Sequence, residues 1–327
     1  MKAVWYDKLG PAQEVLQYGE LPTPKPAAGE VRVRLACSAV NPGDTNRRGG
    51  RQHAMDFARI VPHSDGAGTV DAVGGGVDAR WLGARVWVYF GQRGRPWGTA
   101  AQFICLPEDL VAPLPESLSF QQGACLGIPC MTAYCSLGDL GALAGRNVLV
   151  TGGAGAVGHY AIQLAKWAGA KVFATVSSPE KAEHATRGGA DLVIDYVRQD
   201  LSKIVLDATS GTGVDLIVDV DASANQATML ALAAPQATWV SYASGAEPVA
   251  FPFAALIRKN LSLRGLYLPG LPAPARRAAQ QGILRWLSEA PDGLHGVDGI
   301  YPLRDTALAH LAVESRRKIG TILVACD

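Results

Sequence analysis

The sequence of 327 residues predicts an α/β protein in which a doubly wound parallel-sheet domain is inserted into a smaller all-β domain. Three observations predict this architecture. Residues 1–120 contain short β-branched runs separated by Gly and Pro, residues 121–268 alternate strand and helix patterns, and residues 321–325 read as an apolar strand with no obvious place in that parallel sheet. We therefore expect residues 1–120 and 269–327 to form one domain and residues 121–268 the other.

The first block predicts a barrel or sandwich of short strands. Its β-branched runs are VRVRLACSAV at 31–40, GTVDAVG at 68–74, RVWVYF at 85–90 and AAQFICL at 100–106. Runs of this length with turn residues between them are typical of compact all-β folds. No helical periodicity of any length interrupts them.

The middle block predicts a parallel sheet with helices on both faces. The strand pattern NVLV at 147–150 leads into a glycine-rich turn and the helical pattern at 156–170, and KVFATV at 171–176 follows. Strands rich in Val, Ile and Leu that alternate with helices are buried on both faces. The pattern LSLRGLYL at 261–268 reads as the last strand, an apolar edge that favours a homodimer paired through that strand.

The glycine-rich turn is the most specific motif in the chain, because it lies between a predicted strand and a predicted helix. This context is the dinucleotide-binding (Rossmann) fingerprint, in which glycines allow a tight turn and a close approach of the backbone to a pyrophosphate. The amides at the start of the following helix then hold the phosphates. The predicted pyrophosphate-binding residues are Gly153, Ala154, Gly155, Ala156, Val157 and Gly158.

The end of the second strand predicts NADPH as the dinucleotide. NAD-binding proteins usually place Asp or Glu there, about 20 residues after the glycines, to bind the ribose 2′-hydroxyl. Here the strand ends in Ser177 and Ser178, and Lys181 follows in the first turn of the next helix. Two hydroxyls and one ammonium suit a 2′-phosphate.

Composition argues against several classes of partner. With 30 Lys and Arg against 29 Asp and Glu, the net charge is +1, so no large positive field favours nucleic acid or an anionic membrane. The first residues do not have the pattern of a signal peptide, and the six cysteines form no C-x-x-C pair. We expect a cytoplasmic protein with a small-molecule substrate and neither a nucleic-acid nor a membrane partner.

Six motifs together resemble the medium-chain dehydrogenase/reductase superfamily, and within it the zinc-independent quinone oxidoreductases related to zeta-crystallin. The motifs are SAVNPGDTNRRGG at 38–50, HSDGAGTVDAVG at 63–74, LGIPCMTAY at 126–134, TGGAGAVG at 151–158, GADLVIDY at 189–196 and KIGTILV at 318–324. The resemblance covers essentially the whole chain. It implies a GroES-like catalytic domain built from both chain ends and a Rossmann domain that binds NADPH.

The resemblance also implies roles for single residues. It places Asn41 and Thr132 near the nicotinamide, and it places Ser177, Lys181 and Tyr196 around the 2′-phosphate. Through these positions it predicts a reductase that transfers hydride to a quinone or an enone.

The positions that carry zinc ligands in related alcohol dehydrogenases are occupied here by Asn41, Ser64 and Ile128. These residues do not supply the thiolate and imidazole ligands that zinc prefers, so we predict a zinc-independent protein. His63 lies one residue from such a position, which leaves a zinc alcohol dehydrogenase with unrecognised ligands as an alternative. Asn46 stands where quinone oxidoreductases often carry a tyrosine, a departure that concerns the choice of substrate and not the class of reaction.

Without a metal, the acceptor must already be polarised, as a conjugated carbonyl is. The Asn41 amide and the Thr132 hydroxyl are then the predicted hydrogen-bond donors to the developing oxyanion. Tyr89 and Tyr134 are further candidates for donor or proton source, with packing as the other explanation. Residues 91–98 form either a lid or an ordinary connecting loop. A non-catalytic NADPH-binding protein, like the crystallin and RNA-binding relatives, is a further alternative.

Overall fold

The computed structural model describes residues 1–51 and 54–326, and these divide into two units. Unit 1 combines Met1–Ile128 with His295–Asp327, and unit 2 is Pro129–Leu294. The chain therefore leaves unit 1, forms the whole of unit 2 and returns.

Strands and helices are numbered here in chain order. Among the described residues the strands are β1 Lys2–Trp5, β2 Gln17–Glu20, β3 Glu30–Val40, β4 Asp65–Val73, β5 Arg85–Val88, β6 Phe103–Pro107, β7 Val111–Pro113, β8 Asn147–Val150, β9 Lys171–Val176, β10 Leu192–Asp195, β11 Val214–Asp219, β12 Ala233–Ser241, β13 Ser262–Gly265, β14 Val297–Pro302 and β15 Thr321–Ala325. The α-helices are α1 Ala12–Val15, α2 Pro42–Arg48, α3 Phe120–Ala124, α4 Met131–Leu137, α5 Gly158–Trp167, α6 Pro179–Arg187, α7 Leu201–Ala208, α8 Ala222–Leu232, α9 Phe253–Lys259, α10 Ala273–Glu289 and α11 Thr306–Glu314.

Unit 1 is built on a seven-stranded sheet whose main path is β14-β15-β3-β4-β5-β7, with β6 paired to β3. Strand β15 lies antiparallel to β3, with Ile322 opposite Val40 and Ala325 opposite Cys37. The prediction that the terminal apolar strand returns to the N-terminal β domain is therefore confirmed. Strands β1 and β2 form a separate antiparallel pair.

Unit 2 is a six-stranded parallel sheet in the order β10-β9-β8-β11-β12-β13. This is the strand order 3-2-1-4-5-6 of the doubly wound dinucleotide-binding fold, as predicted. The central strand β8 is buried at Val148, Leu149 and Val150, because helices cover both faces of such a sheet. Strand β13 is the outer strand next to β12, and all four of its residues are exposed.

The insertion begins and ends later than the predicted boundaries at 120/121 and 268/269. Residues 121–128 stay with unit 1, and residues 269–294 belong to unit 2. Gln163 of α5 explains the second difference, because its Nε2 donates to the Leu294 carbonyl at 2.9 Å and its Oε1 accepts the Leu294 N–H at 2.6 Å. The proline-rich stretch PGLPAPA at 269–275 leads into helix α10, which begins at Ala273. No helix in the described part of the chain is long and apolar enough to span a bilayer.

The return of the chain to unit 1 depends on Gly320, which precedes β15. Its φ is +79°, and a Cβ there would lie 2.2 Å from the Gly296 carbonyl oxygen. We expect Gly320→Ala to lower the free energy of unfolding by about 1–3 kcal/mol, because both the backbone conformation and the contact oppose a side chain. Gly299→Ala in β14 is the control, since its Cβ would meet nothing closer than 3.4 Å. Urea denaturation that ranks the two variants equally would contradict this account.

Candidate functional site

The glycine turn of unit 2 leaves β8 at the point where the strand order reverses, between β8 and β11. In open α/β sheets ligands bind at the carboxyl ends of the strands at this switch point. Gly152 has φ +65°, and a Cβ on Gly158 would lie 2.2 Å from the Gly152 carbonyl oxygen. Only glycine at position 158 lets α5 start this close to the turn.

The predicted pyrophosphate residues all lie in this turn or at the start of α5. Gly153 donates its N–H to the Thr175 carbonyl at 2.9 Å, which ties the turn to β9. Val157 is the N-cap residue of α5, so the first amides of that helix have no partner within it. A glycine turn followed by a helix N-terminus is the arrangement that holds a pyrophosphate in dinucleotide-binding folds, and the role of these residues stays a prediction.

Asp219, at the carboxyl end of β11, is a site residue that the sequence analysis missed. It is fully buried and accepts hydrogen bonds from Thr151 Oγ1 at 2.7 Å, Asn225 Nδ2 at 2.7 Å and Trp239 Nε1 at 3.2 Å. Thr151 directly precedes the glycine turn, so its hydrogen bond to Asp219 fixes the start of the turn against the end of β11. The sequence feature that could have identified Asp219 is its position as the last residue of an apolar strand, at the sheet edge where β8 leads into the glycine turn.

The residues predicted around the 2′-phosphate meet at the carboxyl ends of β9 and β10. Lys181 Nζ donates to Ser177 Oγ at 3.1 Å. The N–H of Tyr196 donates to the Val176 carbonyl at 3.1 Å, and the Tyr196 side chain is exposed. Ser177, Lys181 and Tyr196 therefore lie at the same edge of the sheet, where the Lys181 ammonium is already paired with the Ser177 hydroxyl.

Ser178 has a different task at this edge. Its hydroxyl accepts the Lys181 N–H at 3.3 Å as the N-cap of α6, which begins at Pro179. The same hydroxyl hydrogen-bonds Glu180 and lowers the pKa of that exposed carboxyl. Ser177 is therefore the hydroxyl paired with the Lys181 ammonium.

In unit 1 the predicted catalytic residue Asn41 is held by the side chains of two aspartates, Asp65 and Asp44. Its Nδ2 donates to Asp65 Oδ2 at 2.6 Å, and its backbone N–H donates to Asp44 Oδ2 at 2.8 Å in the capping box of α2. Asp65 Oδ2 also accepts the Ile128 N–H at 2.9 Å. Asp65 Oδ2 thus accepts hydrogen bonds from the Asn41 side chain and from the Ile128 backbone, two of the three positions that the resemblance aligns with zinc ligands in related alcohol dehydrogenases.

Burial dominates the electrostatics of both carboxyl groups. Burial raises the pKa of Asp44 to about 7, although hydrogen bonds from the Asn41 N–H and the Ser64 hydroxyl oppose the shift. Burial also raises the pKa of Asp65 well above its ordinary value, against hydrogen bonds from Asn41 and Ile128. Desolvation penalises the charged form more than these donors stabilise it.

His63 belongs to a buried hydrogen-bonded chain. Its Nδ1 lies 2.8 Å from Ser38 Oγ, its Nε2 lies 2.8 Å from His310 Nε2, and Ser38 Oγ lies 2.7 Å from Thr99 Oγ1. The Thr99 hydroxyl donates to the Asp65 carbonyl, so it must accept the hydroxyl proton of Ser38. Ser38 Oγ then accepts from His63 Nδ1, and His63 Nε2 accepts from His310 Nε2. Burial lowers the pKa of His63 to about 3, which keeps the ring neutral as this order requires.

Tyr89 and Tyr134 both have packing roles. The Tyr89 hydroxyl donates to the Asp109 carbonyl at 2.9 Å within the core of unit 1. The Tyr134 ring lies directly on α10, because a Cβ at Gly282 would be 2.1 Å from its hydroxyl oxygen. Both side chains therefore make packing contacts, and a role for either as donor or proton source stays a prediction.

Thr132 and residues 91–98 complete the set of predicted site features. Thr132 is buried in the first turn of α4. The 91–98 segment is attached near both ends, because the Gly91 N–H donates to Ser64 at 2.8 Å and the Pro96 carbonyl accepts the Val61 N–H at 2.8 Å. These bonds favour the connecting loop over the lid. Across residues 1–51 and 54–326, no group of three His, Cys, Asp or Glu side chains is arranged to hold a metal ion.

The fold and the glycine turn define a dinucleotide-dependent oxidoreductase, and comparisons with known proteins agree. Residues 27–116 match the family described as alcohol dehydrogenase GroES-like domain, and residues 156–289 match the family described as zinc-binding dehydrogenase. A quinone oxidoreductase from Pseudomonas aeruginosa is 30% identical over 95% of both chains, and a 2-haloacrylate reductase from a Burkholderia species is 30% identical over 99% of this chain and 98% of its own.

Solved structures give the same result. The crystal structure of an NAD-dependent alcohol dehydrogenase has a TM-score of 0.91 and 31% identity, with full coverage of both chains. Quinone oxidoreductase from Escherichia coli in complex with NADPH has a TM-score of 0.87 and 27% identity, covering 99% of this chain and all of that one. The chain therefore belongs to the zeta-crystallin-like quinone oxidoreductase branch of the medium-chain dehydrogenase/reductase superfamily, with a GroES-like domain and a Rossmann domain.

Proposed function

We propose that this protein is an NADPH-dependent, zinc-independent reductase that transfers hydride to a quinone or an enone, with unit 1 as the catalytic domain. The observation that carries the proposal is the Asn41 amide held by Asp65 at 2.6 Å, where zinc-dependent relatives carry a ligand. An amide and a hydroxyl can donate hydrogen bonds, but they do not form the ligand shell that zinc requires. The similar quinone oxidoreductases and 2-haloacrylate reductase support acceptors with a conjugated double bond.

NADPH fits the unit 2 site better than NADH. The glycine turn would hold the pyrophosphate, and Ser177 with Lys181 would hold the 2′-phosphate. No carboxylate follows β9 in the position that would bind a free ribose 2′-hydroxyl and repel a phosphate. The similar enzyme solved with NADPH supports this choice, whereas the similar NAD-dependent alcohol dehydrogenase represents the alternative.

The residues of this chain have two tasks in the proposed reaction. When bound, NADPH supplies the hydride. The first task is to hold the acceptor in a fixed orientation, which removes much of the entropic barrier. The second is to stabilise the negative charge that develops on the carbonyl oxygen, for which we assign the Asn41 amide of unit 1 as a donor, whereas a donor role for the Thr132 hydroxyl in unit 2 stays a prediction from the sequence. Neither group polarises an unconjugated ketone as strongly as a metal ion does.

The phosphate assignment predicts a change of cofactor preference. Ser177→Asp places a carboxylate beside Lys181 and should lower the NADPH/NADH ratio of kcat/KM, because it repels the 2′-phosphate. Lys181→Ala should weaken NADPH selectively by about 1–3 kcal/mol, the usual range for a charge-assisted hydrogen bond. Lys203→Ala on α7, whose exposed ammonium pairs with Asp207, is the control. An unchanged ratio in both site variants would show that the phosphate binds elsewhere.

The donor set predicts which acceptors are reduced and what happens without metal. After prolonged EDTA treatment, the protein should still consume NADPH with quinones, enones or enals, and much more slowly with saturated ketones and aldehydes of the same size. Elemental analysis should find far less than one zinc per chain. Stoichiometric zinc whose removal stops turnover would support the zinc alcohol dehydrogenase instead.

We also propose a homodimer paired through the edge of the unit 2 sheet. Among the described residues β13 pairs only with β12 in this sheet, and Leu263 and Tyr267 are 39% and 72% exposed at this edge. A two-fold axis would pair both edges at once. The cytoplasmic location and the lack of a nucleic-acid partner stay predictions from the sequence.

Light scattering at micromolar concentration tests the dimer, with twice the chain mass of 34.3 kDa expected. Leu263→Asp should shift the mass toward the monomer, because a charge on the pairing edge opposes association. Leu82→Asp, at an exposed leucine of unit 1, should not change the mass. A wild-type protein with the mass of one chain throughout this range would rule out edge pairing.

A further inference from the structure

Asp65 is a buried residue whose side chain contacts Asn41, the residue assigned as a donor to the acceptor. Its Oδ2 accepts two hydrogen bonds, from Asn41 Nδ2 at 2.6 Å and from the Ile128 N–H at 2.9 Å. A Cβ on Gly127 would lie 2.3 Å from Asp65 Oδ1, so the chain passes directly over the carboxyl group. Asp65 is fully buried, and its Oδ1 has no hydrogen-bond partner among the described residues.

The contacts of Asn41 leave a defined part of its amide available. A primary amide has two N–H donors and one carbonyl acceptor. One N–H is used by Asp65, and the capping box of α2 places the side-chain carbonyl on the side of the Asp44 N–H, which itself donates to the Asn41 backbone carbonyl at 3.0 Å. The second N–H is the group left to meet a ligand. The contact with Asp65 therefore decides whether the amide offers a donor or an acceptor.

We propose that Asp65 is a positioning residue that fixes the orientation of the Asn41 amide, so that this side chain presents one N–H donor to the carbonyl oxygen of the acceptor. The proposal rests on the proposed function and names a further residue for it. Without Asp65 the amide can turn over and present its carbonyl oxygen, which repels a developing oxyanion instead of stabilising it. Loss of one such donor typically lowers kcat by about 10²–10³-fold.

The contact with Asn41 requires an acceptor atom rather than a negative charge. Burial raises the pKa of Asp65, which favours a neutral carboxyl group at this position. An asparagine at position 65 can offer its carbonyl oxygen to the same two N–H donors. Asp65→Asn is therefore the conservative variant, whereas Asp65→Ala removes the acceptor and leaves the Asn41 amide unconstrained.

A double-mutant cycle between positions 41 and 65 separates positioning from general stability. We expect Asp65→Ala to lower kcat with a quinone or enone by about tenfold or more, with the dissociation constant of NADPH little changed. Asp65→Asn should restore kcat to within about threefold of wild type. In the Asn41→Ala background, Asp65→Ala should add little further loss, because the two residues act as one unit. Equal losses in both backgrounds would show that Asp65 only supports the fold.

Side-chain amide exchange in the wild-type protein gives a second measurement that requires neither turnover nor a folded variant. One Asn41 Nδ2 proton is bound to buried Asp65, so NMR should show it exchanging with solvent at least about tenfold more slowly than its partner. Equal exchange rates would overturn the inference even if the reductase activity is confirmed. A wild type that reduces no conjugated acceptor, but shows the unequal rates, would reject the proposed function and retain the fixed amide.

Discussion

The hydrogen bonding of strand β3 is the constraint on which unit 1 depends. This strand pairs with β4 and β6 from the first part of the chain and with β15 from its end. It ends at Val40, so the next residue, Asn41, leaves the sheet at a fixed point and caps α2. Strand β15 follows unit 2 in the chain and pairs with β3, so the sheet of unit 1 contains segments from both sides of unit 2.

The two candidate sites are shaped by different physical means. In unit 2 the glycine turn is determined by steric exclusion, since a side chain on Gly158 would overlap the Gly152 carbonyl. In unit 1 the site is determined by hydrogen bonds to buried carboxyl groups, which carry a large desolvation penalty. The proposed role of Asp65, which is to orient the Asn41 side chain, gives a functional reason for keeping a buried carboxyl group at this position.

The sequence predicted the features that depend on local pattern. The glycine turn, the Ser177 and Lys181 pair and the return of the terminal strand follow from short-range periodicity and residue type. The roles of Asp219 and Asp65 could not be predicted from local pattern, because most of their hydrogen-bond partners are distant in sequence and because both side chains are buried only in the folded protein. The domain boundaries shifted for a similar reason, since the bond between Gln163 and Leu294 joins residues that are distant in sequence.

The buried chain from His310 to Thr99 has a consequence for how this protein can evolve. Each hydroxyl or ring in this chain donates one hydrogen bond to the next member, so all the bonds run in the same direction. His63 also has φ +77°, a backbone conformation that few residues other than glycine adopt. A substitution that removes the hydroxyl of Ser38 or Thr99 would leave a buried ring nitrogen or hydroxyl unsatisfied. Positions 38, 63, 99 and 310 are therefore coupled, and a viable route to other residues requires compensating changes at several of them together.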